Sequence, residues 1–135
     1  MNNLTELAAR VEGAEGPNRD IDAEIAPLTG LRMAEEGHPL GRCCYDQNGR
    51  GVPLPAFTAS LDAALTLVPE GWFILVSDWQ ASILRKLGPW QAVLTRNRDD
   101  MRTVFDGRSD HAATPALALC AAALRARAAM EAGNG

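Results

Sequence analysis

The side chains here best suited to nucleophilic or metal chemistry are three thiols and two imidazoles: Cys43, Cys44, Cys120, His38 and His111. A metal site would have to bring the histidines to Cys43 and Cys44, yet neither a C-x-x-C nor an H-x-x-x-H spacing occurs. Both histidines fall in stretches that read as loops, so they are expected to be solvated or to cap, with no metal and no cofactor. Three cysteines are an odd number for a disulfide framework, and adjacent cysteines seldom bridge each other because the ring is strained. Cys120 sits in an Ala/Leu-rich helical pattern, where a buried thiol behaves as a small hydrophobe. A Cys–His nucleophile pair has only Arg42 beside Cys43 to favour a thiolate. The acids add little: Asp99 and Asp100 read as a hairpin turn, and Asp20, Asp22 and Glu24 as the solvated face of a helix. Gly49-Arg50-Gly51 lacks the following helix that would aim its dipole at a phosphate. No catalytic set is expected, and the chain reads as a non-enzyme.

One group of residues could bind rather than react. Trp79, Trp90, Arg85, Lys86, Arg96, Arg98, Arg102 and Arg108 crowd one region of a chain whose formal charge is −4 and whose pI is near 5.1. Aromatic faces stack bases and guanidinium forks pair phosphates. Trp79, Trp90, Arg85, Arg96, Arg98, Arg102 and Arg108 are therefore the candidate ligand-binding residues, suited to a nucleotide-like ligand or an acidic patch on a protein. The competing reading makes the tryptophans packing residues and the arginines solvated hairpin tips. The net acidity argues against generic nucleic-acid binding.

The elements that position these residues follow from local signals. The 135 residues, 47% hydrophobic and 22% charged, suit one domain that buries about two-thirds of its unfolded surface. A stripe of Leu4, Leu7, Ala8 and Val11 predicts a helix over 3–12, opened by Asn3 with Glu6 and stopped at Gly13. Asn18 is placed to cap a second helix carrying Ile21, Ile25 and Leu28, ended by Pro27 and Gly30. Residues 31–54 lose all periodicity and read as an irregular loop region, relieved by a short edge strand at 42–45 and a turn at Asp46–Gly49. Ser60 caps a helix over 60–68 whose apolar stripe is Leu61, Ala64, Leu65 and Val68. Pro69-Glu70-Gly71 then turns the chain into strand 72–78, apolar enough to be a central strand covered on both faces. Strands at 90–96 and 101–106 follow, joined by a hairpin loop at 97–100. Thr114 caps, and Pro115 opens, an alanine-rich helix over 114–130 with Leu117, Cys120, Ala121, Leu124 and Ala128 on its inner stripe.

Two of these segments, Pro55–Trp72 (PAFTASLDAALTLVPEGW) and Ala112–Arg127 (AATPALALCAAALRAR), together resemble the paired signatures of small phage and prophage proteins with the phage ABA sandwich domain. The lead-in Leu4–Pro17 also resembles the opening of such proteins, so about half the chain is covered. Phe57 stands where the family often has tyrosine. The resemblance implies helix–sheet–helix layering and a phage or prophage origin, and it brings no catalytic residues.

The expectation is thus an α+β fold: a small antiparallel sheet of about three strands packed by helices in a layered sandwich, behind short N-terminal helices. Its parts are a helical segment over 1–30, the loop region 31–54, the core over 55–131 and a frayed tail at 132–135. The expected function is a phage accessory protein acting by binding, an anti-defence protein that sequesters a nucleotide-derived immune signal. An inhibitor gripping a host defence protein, such as an anti-CRISPR, and a structural phage protein are the alternatives. A homo-oligomer in the host cytoplasm is expected. No run approaches the ~18 apolar residues of a membrane span, and no secretory signal opens the chain.

Overall fold

The computed structural model describes residues 3–33, 43–78, 89–95 and 107–134. In chain order its elements are α1 (Asn3–Glu12), α2 (Arg19–Ile25), a 3-10 turn (Ala26–Thr29), β1 (Arg32–Met33), β2 (Cys43–Tyr45), β3 (Gly51–Pro53), α3 (Leu61–Leu65), β4 (Phe73–Asp78), β5 (Trp90–Thr95), β6 (Gly107–Ala112) and α4 (Pro115–Asn134). The fold is α+β: an antiparallel sheet in the order β4-β5-β6 packs against helices, with helix α1 at the N-terminal side.

Helix boundaries follow the local chemistry. Leu4, Leu7, Ala8 and Val11 are all buried on α1. The Asn18 side chain accepts from the backbone N–H groups of Asp20 and Ile21, which the first turn of a helix leaves without partners. Ser60 does the same for Ala63. Thr114 Oγ1 accepts from the Leu117 N–H at 3.2 Å, with Pro115 as the first residue of α4. Gly71 adopts φ 86°, a left-handed conformation cheap only for glycine, and so swings the chain from α3 into β4.

The centre of the molecule is α4, not the sheet. Ala116 to Leu124 are buried without exception, so this helix is apolar all round and is walled in on every side. The β4-β5-β6 sheet lies on one side, and α1 and α3 pack elsewhere around it. α3 packs on α4. The small side chains of α4 let neighbours approach closely from several directions, so a thin helix can serve as shared core. α4 also runs four residues past the expected end at 130.

Three further expectations are corrected. The helix expected over 60–68 is regular only over Leu61–Leu65, and its buried residues are Ala64 and Leu67, while Leu61 and Leu65 face solvent. Strand β4, expected to be central and covered, is an edge strand among the described residues, with Phe73 40%, Ile74 37% and Leu75 51% exposed. A continuous apolar run suits a covered strand and an interaction edge equally, so composition does not separate the two. The third strand is Gly107–Ala112; the expected strand at 101–106 and the hairpin loop at 97–100 lie outside the described residues.

Residues 31–54 carry a second sheet, in the order β1-β2-β3. The segment expected as an edge strand, Cys43–Tyr45, is its middle strand, pairing Cys44 with Met33 on one side and Val52 on the other. The turn at Asp46–Gly49 is present: Asp46 Oδ1 accepts from the N–H groups of Asn48 and Arg50, both at 2.9 Å. Arg32 stacks over the Tyr45 ring across the β1–β2 pair, 5.4 Å from its centroid.

Candidate functional site

Of the seven candidate ligand-binding residues, the described chain includes Trp90 and Arg108; Trp79, Arg85, Arg96, Arg98 and Arg102 lie outside it. The two that can be placed do not meet. Successive strand residues point to opposite faces. Ala92 and Leu94 belong to the core, and Trp90, two and four residues away on the same strand, packs against that core. Arg108 pairs with Val93 and sits between Gly107 and Ser109, both buried, so it points to the face away from α4. Trp90 is a packing residue, and Arg108 is an exposed cation.

That outer face has a definite composition. Register puts Phe73, Leu75 and Ser77 of β4 beside Thr95, Val93 and Gln91 of β5, with Arg108 beyond Val93 on β6. Ser77 Oγ donates to Gln91 Oε1 at 3.3 Å. Phe73 and Leu75 are exposed, and among the described helices only α4 and α1 make extensive contact with this sheet. Val93 and Thr95, on the strand between, are only 3% and 1% exposed, so this face is open at its β4 edge and at Arg108 but not at its centre.

Most buried polar groups in the described chain are tied to the scaffold. Asp22, expected on a solvated helix face, is fully buried: Oδ1 accepts from Thr58 N–H at 2.9 Å and Thr58 Oγ1 at 2.8 Å, and Oδ2 meets Arg19 at 2.8 Å. Arg19 also donates to the Leu54 carbonyl at 2.8 Å. The network fastens α2 to the segment leading into α3. One clue was available in sequence: Asp22 lies between Ile21 and Ile25, on the side of α2 that turns inward. Glu12 accepts from Arg125 at 2.6 Å and from Ser109 Oγ at 2.7 Å, joining α1, α4 and β6. Arg127 donates to the Leu67 and Leu28 carbonyls at 2.8 and 3.3 Å, and its burial lowers its pKa, with Glu131 opposing. These two arginines act by bridging elements.

The thiols are structural in their surroundings. Cys44 and Cys120 are buried and form no disulfide. Cys120 Sγ donates to the Phe57 carbonyl at 3.1 Å, and burial, aided by the charge of Asp22, pushes its pKa up to about 12 from 9.0. Between those values an unfolded chain loses the thiol proton while the folded one keeps it. Stability from this group is thus complete below pH 9.0 and drains away as pH rises toward about 12, by about 1.4 kcal/mol per pH unit at most. Denaturant titrations of the chain and of Cys120→Ala at pH 8 and above check this: the alkaline decline is expected to be shallower in the variant.

His111, expected in a loop, lies in β6, where its Nδ1 is buried without a hydrogen-bond partner among the described residues. His38 falls outside the described residues, as do Asp99 and Asp100. Among the described residues no three His, Cys, Asp or Glu side chains stand together as a metal would need. No described helix is long and apolar enough to cross a membrane. An open groove of about 420 Å³ runs between α1 and α2, floored by Leu4, Leu7 and Leu28, with the 2.6 Å Arg10–Glu24 ion pair at its rim. Its lining offers apolar area, the paired Arg10 and Glu24, and the polar side chains of Asn3 and Glu6. Comparison with protein-family models, curated proteins and solved structures finds no match for this chain.

Proposed function

We propose that this chain is a non-enzymatic phage accessory protein that acts by binding, and that it blunts a bacterial defence system by sequestering a nucleotide-derived signal. The observation that carries the reading is the β4-β5-β6 sheet, where register sets the exposed Phe73 and the guanidinium of Arg108 on the same side, with the buried Val93 and Thr95 between them. A flat base needs an apolar face to stack on, and a phosphate needs a forked cation. The phage assignment rests on the resemblance of Pro55–Trp72 and Ala112–Arg127 to the phage ABA sandwich proteins. Direct inhibition of a host defence protein is the second reading, favoured by the exposed apolar residues of β4, which suit a protein surface as well as a base.

Isothermal titration with a cyclic dinucleotide and with an adenine dinucleotide tests the proposal. Binding is expected, weakened about tenfold in Arg108→Ala by loss of one charge-assisted phosphate contact. The ligand should be recovered chemically intact after the protein is heat-denatured. Recovery of a hydrolysed product makes the chain an enzyme and ends the reading. Silence with both nucleotides, together with capture of a stoichiometric defence protein from an infected host, moves the function to direct inhibition.

A further inference from the structure

We infer that Asn48 is a site of spontaneous covalent modification, where the Asn48-Gly49 pair closes to a succinimide and reopens as aspartate or isoaspartate. The inference is independent of the nucleotide reading, because it concerns the turn of the smaller sheet and not the β4-β5-β6 sheet.

Ring closure needs a side-chain amide within a five-membered ring of the next backbone nitrogen, an unhindered nitrogen, and access to water. Asn48 meets the first condition, whereas Gln47 beside it would need a six-membered ring, which closes far more slowly. Gly49 meets the second. It has no Cβ to crowd its nitrogen, and nothing lies within 4 Å of where one would stand. The third follows from place. The pair sits in the turn between β2 and β3, where Gln47, Asn48, Gly49 and Arg50 are all exposed. Water therefore reaches both the amide and the imide made from it.

The reaction balances with water as its only co-reactant. Hydroxide takes the Gly49 amide proton, and the nitrogen attacks Asn48 Cγ. The new N–Cγ bond forms as the Cγ–Nδ2 bond breaks, and Nδ2 leaves as ammonia with a proton returned by water. Water then opens the ring. Attack at Cγ gives aspartate, and attack at the main-chain carbonyl gives isoaspartate.

Either product adds a negative charge to a turn that already holds Asp46. Isoaspartate also lengthens the main chain by one methylene between strands paired residue by residue, Tyr45 with Gly51 and Cys44 with Val52. The bond from the Asp46 N–H to the Arg50 carbonyl, at 2.9 Å, closes that hairpin and is displaced by the added carbon. What holds the reaction back is the turn itself. The Gly49 N–H donates to the Asp46 carbonyl at 3.0 Å, and the nitrogen must give this up to reach Cγ. One exposed bond of this kind slows closure about tenfold relative to an unstructured peptide, and does not stop it.

The full chain, held folded at neutral pH and digested with trypsin at intervals, tests this. Cleavage after Arg42 and Arg50 releases residues 43–50, in which Asn48 is the only asparagine. That fragment is expected to gain about one mass unit and to split into two chromatographic forms. Its rate should be about one-tenth that of the same peptide in isolation, and should rise in proportion to hydroxide. The other Asn-Gly pair, Asn134-Gly135, falls in the fragment 128–135 and is read separately. Asn48→Gln, at an exposed position whose φ is not positive, is expected to keep the thermal midpoint and abolish the mass gain. A fragment still at its original mass after about ten half-lives of the free peptide overturns the inference. So does a rate that climbs in Asp22→Ala in step with its lost stability, since then only the unfolded chain reacts.

Discussion

Gly107→Ala is expected to cost about 3 kcal/mol, and occasionally enough to prevent folding, because the new methyl has nowhere to go. A Cβ at this position would lie 2.8 Å from the Ala126 Cβ and 2.9 Å from its backbone nitrogen, with the Ala122 carbonyl oxygen nearer still. Two of those three atoms are backbone of α4, so no rotamer change clears the space. The glycine is there because β6 and α4 touch almost main chain to main chain, and the alanines on α4 are the other half of that fit. Separating them would also loosen β5, which shares the same helix face. The measurement is chemical or thermal denaturation, with a midpoint drop of roughly 10 °C expected for a chain of this size. Gly16→Ala is the control: nothing lies within 4 Å of its added Cβ, so its effect should stay within about 0.5 kcal/mol.

Asp22→Ala is the second large effect, about 2–4 kcal/mol, and it arises from what is left behind. The substitution removes the acceptor for the Thr58 N–H and hydroxyl in a place water does not reach, since both residues are fully buried. Thr58 Oγ1 retains its contact with Asn18, accepting from the Asn18 N–H at 2.8 Å, but its amide loses its partner. The Arg19 contribution is smaller, because that side chain is about half exposed and solvent screens the pair. Asp22→Asn separates the two contributions. It keeps an oxygen facing Thr58 and gives up the charge, so it should cost about 1 kcal/mol, the ordinary worth of the weakened bonds. Equal losses in the two variants would mean that charge, and not hydrogen bonding, holds α2 in place. Equilibrium unfolding in urea measures both.

These positions mark where sequence stops being informative. Asn18, Ser60 and the Thr114-Pro115 pair announce their helices because a cap is a local event, complete within three or four residues. The α1 stripe is legible for the same reason, with a period of its own. Gly107 and Asp22 are opaque because their meaning lies in residues far along the chain, Ala122 and Ala126 for one and Thr58 for the other. Gly107–Ala112 hides as a strand behind polar residues whose partners are distant: Ser109 is satisfied by Glu12. The apolar run 72–78 was readable as a strand but not as an edge, since burial is decided by neighbours that composition does not name. The basic–aromatic group suffers most. Proximity in sequence places Trp90 and Arg108 in one region, while the alternation of the pleat sends them to opposite faces.

The central position of α4 has a consequence for how the protein comes into being. α1, α3 and all three strands of the larger sheet rest on a helix that the ribosome makes after every one of them. None has its main packing partner while it is being synthesised. Over the later part of translation the nascent chain therefore carries Phe73–Val76 without a core to shelter its neighbours, a segment of the kind that chaperones grip. Closure must wait for α4 to leave the exit tunnel, and then the early and late ends of the described chain dock in one step.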